Sequence, residues 1–145
     1  MLREQHPDEA EPFARRAFDA QLRTLGPKHQ DTLESLGFLG DALTRTGRYD
    51  DAKQLYTGVI AGMGADQSLA AREGIVDLWY DLACLAVRSG RRDEAFVHLD
   101  HAVDAGYSNV PYMRSDKALL SLRSDPRFDR VAARAAAAAG QPASK

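Results

Sequence analysis

Cysteine, tryptophan and unbalanced charge are all scarce in this chain. Of its 145 residues a single one is cysteine, Cys84. One thiol excludes an internal disulfide framework and points to a reducing, cytoplasmic setting. Nineteen basic side chains stand against 21 acidic ones, a formal net charge of −2. That balance leaves no basic face for nucleic acid, so none is expected as a partner. No stretch approaches the ~20 apolar residues that a membrane span needs, and the polar opening 1–8 lacks the apolar segment of a secretory signal. Phosphate-binding glycine loops are missing too: Gly62-Met63-Gly64 is short and no lysine follows it. β-Branched residues are few, and no alternating pattern long enough for a strand occurs.

Apolar residues recur instead at helical spacing. Leu36, Leu39, Gly40 and Leu43 form one stripe, and Ala52, Leu55, Tyr56, Val59 and Ile60 a second. Trp79, Leu82, Ala83 and Ala86 form a third, and Ala95, Phe96, Leu99, Ala102 and Val103 a fourth. Each stripe covers one side of a helix, so each helix needs neighbours on that side. With 44% hydrophobic and 28% charged residues the composition is that of a globular domain.

Two of these segments align on each other. Leu36, Leu39, Gly40, Leu43, Gly47, Arg48, Ala52, Tyr56 and Val59 match Trp79, Leu82, Ala83, Ala86, Gly90, Arg91, Ala95, Leu99 and Ala102 at a constant offset of 43 residues. A repeat of that length signals stacked helical hairpins. Gly40, Ala83, Ala52 and Ala95 allow the two helices of a hairpin to approach closely, Gly47 and Gly90 end the first helix of each pair, and Tyr49 and Trp79 are core plugs.

The pattern Trp-x2-Leu-Gly-x2-Tyr, then alanine, then an aromatic, resembles that of tetratricopeptide repeats. Trp79, Leu82 and Ala83 carry it in one unit, and Leu39, Gly40, Ala52 and Tyr56 in the other. The run Leu25 to Leu33 resembles the Gly-Pro-x-His-Pro-Asp-Thr-Leu link of kinesin-light-chain-like repeats, with Gln30 in place of the second proline. Asp116, Leu119, Leu122, Arg123, Asp125, Pro126, Arg127 and Phe128 resemble an ending that closes bacterial repeat arrays. The resemblance implies an all-α fold, an α-solenoid of about two and a half tetratricopeptide hairpins with C-terminal capping helices. The repeats would span residues 1–107, with a half repeat at 7–25 and full repeats at 32–63 and 67–106. Capping helices would follow at 108–139 and a disordered tail at 140–145.

The half repeat carries Ala10, Phe13, Ala14, Ala17, Leu22 and Leu25, a second helix whose partner first helix would precede Met1. Its stripe stays uncovered, which predicts a fragment of a longer array or self-association, such as a homodimer, through Phe13, Ala17 and Leu22. Asp31 with Glu34 suggests a capping box, Asp66 a cap for a helix running to about Ser89, and Gly74 a weak point within that helix. Asn109, Ser115 or Asp116, and Asp125 suggest three further caps.

Chemistry is hard to find. His98 and His101 lie one turn apart beside Asp100, but two ligands on one helix make no metal site and are expected to be solvated. Cys84 falls at a small-residue position, where packing is the expected role. No catalytic residue, cofactor or metal is expected.

At about 100° per residue, Glu34, Phe38, Asp41 and Arg45 lie opposite Leu36, Leu39 and Leu43. The offset sends them to Asp77, Asp81, Cys84 and Arg88, with Tyr80 alongside. In tetratricopeptide proteins the first helices line a concave peptide groove, so the resemblance implies that Glu34, Phe38, Asp41, Arg45, Asp77, Tyr80, Asp81 and Arg88 face it. Four acids outnumber two bases there, and Phe38 and Tyr80 offer apolar anchors. The Lys, Arg and Asn set with which chaperone-binding repeats clamp a carboxylate is missing. A non-enzymatic protein-interaction role follows, with a basic or amphipathic peptide or protein segment as partner. The alternatives are an assembly or spacer module, or a regulatory C-terminal piece of a larger signalling protein.

Overall fold

The computed structural model describes residues 7–140, with side chains from Ala10 onward. The expected disordered tail lies outside these residues except for Gly140, and so does His6. Seven α-helices and one 3₁₀ helix account for the described chain, and no strand occurs among the described residues. The helices are α1 (Pro7–Leu25), α2 (Gln30–Arg45), α3 (Tyr49–Met63), α4 (Leu69–Arg88), α5 (Arg92–Ala105), α6 (Val110–Ser115) and α7 (Pro126–Ala139), with the 3₁₀ helix Lys117–Leu122 before the last. None of the described helices is long and apolar enough to cross a membrane. The chain divides into two compact units, one ending at Ala71 and the other beginning at Arg72.

In the first unit α1 packs on α2 and α2 on α3. Leu36, Leu39, Leu43 and Ala52 are fully buried, and Tyr49 and Tyr56 nearly so. Gly40 is buried with them. Burying each large side chain contributes roughly 1.5–3 kcal/mol. The hairpin turn closes on Gly47, whose φ of +79° places it in the left-handed region. Arg48 N–H then donates to the Leu43 carbonyl at 2.7 Å, and Gly47 N–H to that of Thr44 at 3.1 Å. These bonds satisfy carbonyls that a helix end leaves open.

The second hairpin closes by the same device. Gly90 has φ +74° and Arg91 N–H reaches the Ala86 carbonyl at 2.8 Å. Leu82, Ala83, Ala86 and Ala95 are fully buried, with Leu99 and Phe96 beside them. α7 covers α5 with Phe128, Val131, Ala132 and Ala135. Arginines fasten it. Arg127 donates to Asp125 and to Asp93, each at 2.9 Å, while its guanidinium lies 4.4 Å from the centre of the Phe96 ring. Arg134 reaches Asp100 at 2.8 Å and also pairs with Asp104.

Several local expectations are corrected. α2 starts at Gln30, so its cap is His29, whose Nδ1 accepts from Asp31 N–H at 3.0 Å, rather than an Asp31–Glu34 box. Asp66 folds back on Ser68 N–H at 2.8 Å, and Ser68 Oγ accepts from Ala71 N–H at 3.2 Å, so the α4 entry is shared between them. α4 runs unbroken through Gly74, because one mid-helix glycine costs only about 1 kcal/mol in a packed twenty-residue helix. The caps at Asn109, Asp116 and Asp125 form as expected, each accepting a backbone N–H. Asp116 opens a 3₁₀ turn, not an α-helix.

Candidate protein-binding surfaces

The first unit carries an open apolar concavity between α1 and α2. Ala10, Phe13, Ala14 and Ala17 line it from α1, and Ser35, Phe38, Asp41, Ala42 and Arg45 from α2. Its volume is about 550 Å³. Phe13 is 67% exposed and Phe38 65%, so two large apolar rings face water at one place. Such paired exposure marks an interaction surface more than a scattered single residue would. The Ser35 hydroxyl donates to Gln21 Oε1 and ties the two helices together beside the cavity. Arg16 lies over the Phe13 ring at 5.1 Å.

The reason for the opening is visible in the repeat. α1 matches α3 at an offset of 42 residues, so Ala10, Ala14 and Ala17 stand where α3 has Ala52, Tyr56 and Val59. In α3 those three are buried, and α2 packs on that helix. In α1 their counterparts are half-buried or exposed, with α2, the first helix of the following hairpin, beside them.

The residues expected to self-associate line two different hollows. Phe13 and Ala17 border the same cavity as Phe38, Asp41 and Arg45, which joins two surfaces that the sequence presented separately. Leu22 is half-buried and faces a different, apolar hollow of about 290 Å³ with Phe18, Pro27, Leu55 and Val59. Phe18, 2% exposed, is the main core residue of α1 and was missed. Its spacing to Leu22, four residues on, was the available signal.

The charges on α2 are largely settled. Asp41 and Arg45 pair across one turn at 3.2 Å, and Glu34 is exposed. An exposed pair of this kind contributes ~0.3–0.5 kcal/mol.

α4 presents a different surface within the second unit. Asp77, Tyr80 and Asp81 of α4 line a cavity of about 390 Å³ with Tyr107, Asn109 and Tyr112. Tyr80 is corrected from an exposed anchor to a wall. It is 6% exposed, its hydroxyl donates to Asp116 Oδ2 at 2.6 Å, and its ring stacks on Tyr107 at 5.0 Å. The stack and the hydrogen bond draw the ring inward. Tyr112 stands at 5.9 Å from Tyr80, tilted by 48°, and keeps 53% of its surface open.

Crowding shapes the acidity here. Asp81 keeps an open edge to water, yet the packed atoms around it strip hydration and raise its carboxyl to about 6, and the charges of Asp77 and Asp116 add to this. Burial and Glu73 raise Asp77 in the same direction. Burial, then the nearby Asp116 and Asp81 charges, pushes the Cys84 thiol up to about 12. A thiol so hard to ionise is a poor nucleophile. Burial and the bond to Asp116 hold the Tyr80 phenol protonated. Arg88 is exposed at the end of α4.

The histidines lie elsewhere. His98 is buried, not solvated, and Trp79 is half-buried, not a full core plug. The indole stacks on His101 at 4.3 Å and on His98 at 5.7 Å, and Asp100 is bonded to Arg134. No group of three or more potential metal ligands occurs among the described residues.

Comparison with known proteins bears on the repeat fold. A family model described as tetratricopeptide repeat matches residues 1–63. Comparison of the chain with curated proteins and with solved structures finds no match. The matched segment covers α1, α2 and α3, and α4 with α5 repeats its small-residue and turn positions 43 residues further on. Residues 1–63 are therefore similar to tetratricopeptide repeats, which generally mediate protein–protein interaction.

Proposed function

We propose that the first unit binds an amphipathic helical segment of a protein partner in the concavity between α1 and α2, with Phe13 and Phe38 as anchors. One observation carries this reading: the stripe that α3 buries lies open on α1, with two exposed phenylalanines bordering it. A helix packs on that stripe in α3, so a helix is the natural occupant of its counterpart. Exposed aromatic residues at a concave centre supply most of the energy of such contacts. Asp41 and Arg45 at the edge fix orientation more than affinity. The partner's ligating face would be apolar at helical spacing, with a basic flank favoured beside Glu34.

A helical-peptide library selected on the intact chain tests this. Enriched peptides are expected to show apolar residues at i, i+3 or i+4 and i+7. Phe13→Glu and Phe38→Glu each weaken binding by about 30-fold or more, as for a hot spot, without lowering the melting temperature. Peptides that bind both variants as well as the parent would exclude the site. Light scattering across a concentration series identifies the other occupant: a dimer that either substitution dissociates makes the bound helix that of a second copy.

A further inference from the structure

Building on the protein-binding reading above, we propose that the tyrosine-walled cavity of the second unit receives an arginine side chain of a partner protein. Tyr112 would stack on its guanidinium, and Asp77 and Asp81 would bind its N–H groups.

Three independent features converge there. The first is the cavity itself. At about 390 Å³ it is larger than a bare ion requires and suits one long side chain. The second is its aromatic wall, where Tyr112 leaves more than half of its surface open beside the half-buried Tyr107. The third is uncompensated charge. Asp77 and Asp81 sit one turn apart on α4, and neither has a hydrogen bond or an ion pair among the described residues. Both carboxylates lose hydration to the protein around them, and the Asp77 charge beside Asp81 further disfavours ionisation of Asp81. An incoming cation relieves both costs at once.

Geometry selects which cation. Tyr80 and Tyr107 are stacked within 24° of parallel, so each covers a face of the other and they do not stand as walls of a box. A quaternary ammonium, which needs several rings facing inward, finds only one here. A guanidinium needs a single open ring for stacking, and its planar fork of donors matches a pair of carboxylates. Lysine would offer the charge without the stacking plane. Asp116, which accepts a hydrogen bond from the Tyr80 hydroxyl and caps the following 3₁₀ turn, holds the wall in place behind this site.

The test is an amide-resolved NMR titration of the full chain with N-acetyl-arginine amide, against N-acetyl-lysine amide and tetramethylammonium. Saturable shifts in the millimolar range, confined to residues 77–84 and 107–116, are expected for the arginine probe. Asp77→Asn with Asp81→Asn, both at exposed positions, weaken it by about tenfold, and Tyr112→Ala by about fivefold. Lysine and tetramethylammonium bind several-fold more weakly. No saturable shift, or shifts that the Asn pair leaves unchanged, overturns the site. Equal binding of lysine or tetramethylammonium overturns the choice of arginine. Phe13→Glu and Phe38→Glu leave the titration unaltered, so this result and that for the first unit stand or fall separately.

Discussion

The two hairpins share their construction and differ in what they show to water. Leu39, Ala52 and Gly47 have counterparts in Leu82, Ala95 and Gly90, and these make the buried contacts and the turn in each unit. At the outward positions the pairing dissolves. Glu34 answers to Asp77 and Arg45 to Arg88, but exposed Phe38 answers to Asp81, and Gly37 to Tyr80. The result is an apolar concavity in one unit and an acidic, tyrosine-walled one in the other. Positions that close the hairpin are held to one chemistry by packing. Positions that face outward are free to specify different partners.

The sharpest challenge to that equivalence is a matched pair of core truncations. Leu39→Ala and Leu82→Ala each remove a fully buried side chain. Each is expected to destabilise its unit by about 3 kcal/mol, through lost transfer energy and the cavity left behind. Urea unfolding monitored by circular dichroism measures both. A cost for one less than half that for the other would show that the two hairpins are not packed alike.

Next comes the turn. Gly47→Ala and Gly90→Ala meet no atom within 4 Å of the added Cβ, so crowding contributes nothing. Their cost is that of holding an L-residue at positive φ, about 1–2 kcal/mol each. Thermal melts should show two similar decreases. A neutral effect at either position would mean that the turn relaxes to a different geometry, and that the Arg48 or Arg91 bond to the preceding helix is not what fixes it.

Much of this was legible in the sequence, and the limits have physical causes. Helix periodicity and the 43-residue repeat located the hairpins, because buried apolar and small residues must recur where helices touch. The N-cap of α2 was misplaced because a histidine seldom caps, although its Nδ1 accepts a backbone N–H as an aspartate oxygen would. Tyr80 was placed outside by helical angle alone. Its ring is drawn in by Tyr107 and Asp116, which lie 27 and 36 residues further on, beyond the reach of local periodicity. The joining of Phe13 to Phe38 depends likewise on how α1 packs against α2. Phase along one helix says which residues share a side, but not which side another element will share.

The smallest expected effect contrasts one carboxylate from each unit. In the second unit Asp81 titrates near 3.8 when unfolded and at about 6 when folded. The folded state holds the proton longer, so stability falls as pH rises through that window. Asp81→Asn removes the penalty. It should raise stability at pH 7 by roughly 0.5–1 kcal/mol, a value reduced by the exposure of this side chain to water, and change little below pH 4. In the first unit Asp66 has the opposite sign. Its hydrogen bond from Lys28, with those from Ser68, lowers its carboxyl to about 2, and Lys28 Nζ lies 2.8 Å from Asp66 Oδ2. Asp66→Asn should therefore cost stability at pH 7, and that cost should vanish as the parent's carboxyl is protonated near pH 2. Chemical denaturation at stepped pH reads both. If Asp81→Asn instead destabilises at pH 7, the carboxylate already has a cation beside it, and the acidic cavity of the second unit is not open to a partner's arginine.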